Sequence, residues 1–178
     1  MNSIDENQAG EHREDLQGPK AVAKIKELVG IAQTCFFCTV VPAGTAAGVR
    51  PMNVRTVDDQ GNLWFLSASD SHHNQELARD PSVRLYFQGS PHSDFLLLNG
   101  RATVSTDRAK IEELWEPVLR TWFTGGIDDP RITVIQVTPT DGHYWDTKHG
   151  GFVAGVKMLV GAVVGKTMDD SIEGKLRV

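Results

Sequence analysis

Cysteine is nearly absent from this chain: there are 2 among 178 residues, both inside the stretch TCFFCT from Thr34 to Thr39. So few thiols exclude a disulfide-stapled secreted scaffold and fit a reducing, cytoplasmic setting. A basic excess is missing too, because the formal net charge is -5. Binding to a phosphate backbone needs clustered Lys and Arg, so no nucleic-acid partner is expected. The first residues lack the basic stretch and apolar core of a secretory signal. No apolar run reaches the roughly 20 residues that cross a bilayer. The most apolar late stretch, Phe152 to Val164 (FVAGVKMLVGAVV), is shorter and carries Lys157. It reads as a small-residue helix packed on the protein, with no membrane partner.

Several catalytic signatures are also incomplete. Gly165-Lys166-Thr167 imitates the end of a phosphate-binding loop, but Val160 stands where that loop needs its first glycine. No G-x-S-x-G elbow marks a serine hydrolase. Cys35 and Cys38 have the spacing of redox dithiols and of zinc ligand pairs. Their segment, however, is rich in β-branched and aromatic residues and stops at Pro42-Ala43-Gly44, which reads as a strand. Positions i and i+3 of a strand face opposite ways, so the two thiols cannot share a metal or close a disulfide. Core packing is their expected role. His72-His73 diverge on a helix and the other histidines lack ligand spacing, so no metal site is expected.

What is present is periodic. Lys20–Gln33 places Val22, Ile25, Leu28, Val29 and Ala32 at helical spacing. Strands follow at Thr34–Val41, Val49–Val57 and Asn62–Ala68, then a short helix at His72–Arg79. Val83–Gln88 alternates strictly, and Phe95–Ser105 sets Leu96, Leu98, Gly100, Ala102 and Val104 on one face. Asp107–Phe123 is helical with a break at Pro117, and Ile132–Val137 and His143–Asp146 are the remaining strands. Successive strands with short connections predict an antiparallel meander closed as a barrel or sandwich. Residues 1–18 hold five acidic side chains against Arg13 and read as a flexible acidic leader.

Three segments combine in a way no single motif does: VRPMNVR (Val49 to Arg55), NLWFLS followed by DSHHNQEL (Asn62 to Leu77), and DPSVRL (Asp80 to Leu85). A cationic strand beside a strand-to-helix turn can hold an anion at the free N–H groups of the helix start. In this order the segments resemble the FMN-binding split barrels of the pyridoxamine 5'-phosphate oxidase superfamily, and within it the general stress protein 26 branch. IEELW (Ile111 to Trp115), WFTGGIDDP (Trp122 to Pro130) and YWD (Tyr144 to Asp146) extend the likeness over Val22 to Asp146.

The resemblance implies an α+β, predominantly antiparallel fold: a six-stranded split β-barrel flanked by short helices. It implies a domain over residues 19–149, with residues 150–178 as a C-terminal helix and tail packed on the barrel. The implied cofactor is FMN, with FAD as the alternative. Arg50 would bind its phosphate, and Pro51, Met52, Asn53, Val54 and Arg55 would run along it. Leu66 and Ser67 would lie beside it, Ser71, His72 and His73 would close on the phosphate, and Phe95 would fall near the ring. Arg55 has a second reading as a solvent-facing sheet arginine. The flavin would sit at a homodimer interface, with Trp122, Phe123 and Trp145 supplied by the second subunit. The Arg- and His-bearing segment that holds pyridoxal phosphate in the true oxidases has no counterpart in DTKHGG (Asp146 to Gly151) or GKLRV (Gly174 to Val178). Two functions follow: a flavin-dependent oxidoreductase of another substrate, or a non-catalytic flavin store or sensor.

Overall fold

A computed structural model describes residues 12–42, 48–147 and 171–178. Nine strands and three α-helices occur among them, and the strands are mostly antiparallel. The sheet runs β1-β9-β8-β7-β6-β2-β3, with β5 on β8 and β4 on β5. The apolar segment Phe152 to Val164 and the sequence Gly165-Lys166-Thr167 lie outside the described residues.

Helix α1 (Pro19–Ala32) starts with proline in its first turn and buries Ala21, Ile25, Leu28 and Val29. Proline suits that position, where its missing N–H is an orphan anyway. The helix ends at Gln33, held left-handed at φ 58. A non-glycine residue pays a backbone cost there, and three contacts pin it. The Gln33 N–H donates to Val29 O, and Gln33 O accepts from the Val54 N–H and the Asn53 side chain. The end of α1 is thereby fastened to the chain between β3 (Val49–Asn53) and β4 (Thr56–Val57).

Strand β2 (Thr34–Thr39) buries Cys35 and Phe37 and turns Phe36 outward. Cys38 lies on the other face from Cys35, as the spacing requires. Burial pushes the Cys35 thiol up to about 12. A thiol attacks as its thiolate. Alkylation of the native protein at pH ~8 should therefore leave Cys35 unmodified; rapid labelling of Cys35 in folded protein would contradict this packing.

Phe37 meets Phe65 edge to face at 5.2 Å in the main core, with Leu63, Leu85, Leu98 and Ile135 around them. Strands β5 (Leu63–Ala68), β6 (Ser82–Gln88) and β7 (Phe95–Ser105) alternate as their sequences predict. Val104 is the exception and is exposed near the end of β7. Ile132–Val137 and His143–Asp146 prove to be parts of one 16-residue strand, β8 (Ile132–Thr147). A register shift at Asn99/Gly100 lets the ladder pass Pro139, since proline is tolerated at bulges. The first part of β8 pairs with β5 and the last part with β9 (Ser171–Arg177), so this strand belongs to both halves of a split barrel.

A second core, with Ile111, Leu114, Leu119, Phe123 and Val134, packs against the outer face of β5. It is built from α3 (Arg108–Leu114) and a 3-10 helix at Pro117–Thr121, the two short helices expected around Pro117.

One sequence expectation changes here. Residues 12–18, assigned to the leader, include Leu16, which is buried, and β1 (Leu16–Gln17), parallel to β9. The tail is a strand where it is described: β9 pairs antiparallel with β8. Its alternation is weak because Gly174 occupies one inward position.

Candidate functional site

A groove of about 990 Å³ runs between α1, the β3–β4 bend, β5 and the 3-10 helix at Pro117–Thr121. Pro51, Met52, Asn53, Val54 and Arg55 line it from β3 and the bend, and Leu66 and Ser67 from β5. Strand β3 ends the sheet path, so no described strand pairs with its outer edge. Such an edge presents backbone N–H and C=O groups. Val118 and Trp122 also line the groove and are 58% and 65% exposed.

The charged lining residues are paired. Lys26 meets Asp59 at 2.6 Å, and Arg55 meets Glu116 at 2.5 Å. Arg55 also donates to Leu114 O and to Asn53 Oδ1. Its side chain is only 11% exposed, which corrects the reading of a solvent-facing sheet arginine. Arg55 ties the β3–β4 bend to the start of the 3-10 wall, and its hydrogen bond lowers the Glu116 pKa.

The residues expected at the phosphate are arranged differently. Arg50 pairs in register with Phe37, on the inward face of β3. Its guanidinium grips Glu76 of α2 (His72–Arg79) with two bonds of 2.7 and 3.1 Å. The Thr39 hydroxyl donates to the same carboxylate at 2.6 Å. The Arg50 hydrogen bond holds Glu76 down to about 2. Arg50 is thus a neighbour of the groove floor, engaged with a carboxylate.

Ser71 caps α2 by accepting from the Asn74 N–H, and its hydroxyl lies 3.3 Å from that of Ser67. His72 is exposed at the helix start. His73 departs from the phosphate-facing expectation: it is 2% exposed and stands edge to face on Phe37 at 4.3 Å. Neither ring nitrogen has a partner among the described residues. Burial pushes its pKa down to about 4, and the Arg50 charge pushes the same way.

Phe95 and Trp145 sit elsewhere, at a second depression of about 570 Å³ on the outer sheet face, which also holds Phe36 and Tyr86. Trp122 and Phe123 both line the groove of their own chain, Trp122 from an exposed position and Phe123 from the second core. Lys26, Gln33, Glu116 and Val118 were not singled out from the sequence. Their proximity depends on how α1 and the 3-10 helix pack, for which no local pattern exists. Among the described residues no three His, Cys, Asp or Glu side chains converge as metal ligands, and no helix is long and apolar enough to cross a membrane.

Comparison with known proteins agrees with this architecture. A protein from Jannaschia sp. CCS1 assigned as a general stress protein 26 superposes with a TM-score of 0.73 at 22% identity, covering 88% of this chain and 97% of that one. The general stress FMN/FAD binding protein of Xanthomonas citri gives 0.56 at 22% identity, covering 67% and 82%. Protein bli-3 of Neurospora crassa is 31% identical over 91 residues, 47% of this chain and 44% of that relative, so the match spans less than half of its length. The family model described as pyridoxamine 5'-phosphate oxidase like matches residues 20–169, most of the chain, and the protein therefore belongs to that family.

Proposed function

We propose that the protein binds a flavin, FMN by preference with FAD as the alternative, and works as an oxidoreductase on a substrate other than pyridoxamine phosphate. The groove carries this reading. Its volume lies within the 300–1,000 Å³ span of small-molecule sites, here about 990 Å³, and its floor includes the edge of β3 that no described strand pairs with. That edge offers backbone donors and acceptors to the imide side of a planar heterocycle, while Leu66, Val118 and Trp122 offer apolar contact. A bound flavin supplies hydride and one-electron chemistry. Arg55 and Glu116 hold the wall in place, and Trp122 shields the ring from water. Similarity to the general stress FMN/FAD binding protein of Xanthomonas citri supports the same ligand class.

One observation favours the storage or sensing alternative. Lys26, Arg55 and Glu116 are all engaged in ion pairs, and no uncommitted acid or base lines the groove among the described residues. Proton transfer needs such a group within hydrogen-bond reach.

The outer face of the sheet bears on partnership. Phe36, Tyr86 and Trp145 are 59%, 44% and 42% exposed around the second depression. Contiguous exposed apolar surface marks an interaction site, and Pro51 borders both this depression and the groove. A second copy of the chain seated here would make a homodimer with the flavin beside the interface.

Titration of FMN into the purified protein, followed by visible absorbance and flavin fluorescence, tests the proposal. Saturable binding is expected, and Trp122→Ala should weaken it about tenfold, the scale of one aromatic stacking contact, with the melting temperature nearly unchanged. A protein that takes up neither FMN nor FAD removes the proposal. Brisk steady-state oxidation of NADH or NADPH by the loaded protein would remove the storage alternative, and light scattering of Phe36→Asp against wild type reads the dimer.

A further inference from the structure

We propose that Glu76 is an internal rival of the ligand's phosphate for Arg50, and that it sets how strongly the site prefers a phosphorylated flavin over an unphosphorylated one. The inference rests on the flavin reading and concerns the end of the groove at Ser67. There the Ser67 hydroxyl approaches Ser71, the cap of α2, and one turn along α2 lies Glu76. Arg50 is the chain neighbour of Pro51, which lines the groove, and its side chain is 29% exposed against 17% for Glu76. The pair is therefore partly accessible rather than sealed in the core.

The geometry is that of a carboxylate doing what a phosphate would do. Arginine has five N–H donors in a planar fork that suits either anion two-pronged. Two of the donors are spent on Glu76, and the Thr39 hydroxyl donates to Oε2, the oxygen that also accepts the shorter Arg50 bond. An arriving phosphate must take the remaining donors beside a like charge or displace Glu76. Either route weakens its attraction to Arg50. His73 adds no second cation, because it is buried edge to face on Phe37 with neither ring nitrogen hydrogen-bonded among the described residues.

The experiment compares dissociation constants of FMN and riboflavin for full-length wild type, Glu76→Gln and Arg50→Gln by fluorescence titration. Glutamine keeps the shape and one acceptor while removing the charge. The preference for FMN over riboflavin should rise about tenfold in Glu76→Gln, within the usual range of coupling between two ligands of one site, with riboflavin affinity nearly constant. In Arg50→Gln the two flavins should bind alike. Should Glu76→Gln fail to fold by circular dichroism, the wild-type protein still decides: the Arg50 side-chain N–H resonance should move with FMN and stay with riboflavin. An unchanged preference, or equal movement with both flavins, overturns the inference while leaving flavin binding standing. Binding of neither flavin overturns both.

Discussion

Acidification from pH ~6.5 to pH ~4 should cost the protein stability on the order of 3 kcal/mol, and His73→Leu should abolish most of that loss. The cause is the buried imidazole under Phe37. The unfolded chain takes up its proton near the ordinary 6.5, whereas the folded chain resists until about 4. Between these values the unfolded state binds more protons, so stability is fully present above 6.5 and falls as pH falls. The charged groups acting on the ring are Arg50, which opposes protonation, and Glu76, which favours it less strongly. Glu76 titrates in a separate window: its stabilisation is lost only as pH drops from the ordinary 4.5 towards about 2. Urea unfolding at pH ~7, ~5.5 and ~4.5 reads the difference. A His73→Leu variant with the wild-type slope across that window would refute the assignment. Lysine at position 73 should be severely destabilising, by ~3–5 kcal/mol, because it places an unpaired charge in the core.

Gly174→Val is expected to strip residues 12–17 from the sheet and to destabilise the fold by ~3 kcal/mol or more, at the upper end for overpacking. A Cβ at this position would overlap the carbonyl of Glu14 and come within 2.9 Å of the Tyr144 ring. The same carbonyl accepts the Tyr144 hydroxyl at 2.8 Å, so one backbone group and one side chain, already bonded to each other, converge on the missing side chain. The buried tyrosine has no room to withdraw, so the exposed Glu14 segment is the part that must give way. Hydrogen exchange gives the local readout: amides of Glu14 and Gly18, which bond to Glu173 and Arg177, should lose protection in the variant. Retained protection there would show that the segment does not lie across Gly174.

Much of this architecture was legible because the signals were local. Ser71 before a polar run and Asp80-Pro81 after it bounded α2 at the observed residues. The alternation of Val83, Leu85 and Phe87 fixed the inward face of β6. TCFFCT read as a strand against the pull of its cysteine spacing, and the buried Cys35 agrees. Pro51 to Arg55 with Leu66 and Ser67, which line the groove together, were named only through the family resemblance. What stayed hidden was non-local. Ile132–Val137 and His143–Asp146 read as two strands because a bulge that absorbs Pro139 has no sequence signature of its own. The orientation of Arg50 and His73 depends on Phe37 and Glu76, which approach from other elements. Strand β9 owes its burial to Tyr144 and Glu14 rather than to its own side chains.

The pairing of β9 with β8 has a consequence for the nascent chain. β8 is finished at Thr147 and its partner begins at Ser171, so 23 residues lie between them in synthesis. At ~5–20 residues per second the ribosome needs roughly one to five seconds to bridge that interval. Throughout it, the stretch of β8 from Asp141 to Thr147 carries an open edge on the side that β9 later covers. Unpaired edges of this kind recruit strands from other chains. The period of greatest exposure to misassembly therefore falls between the synthesis of Thr147 and that of Ser171, when β5 to β8 are already made and the β8–β9 seam is still missing.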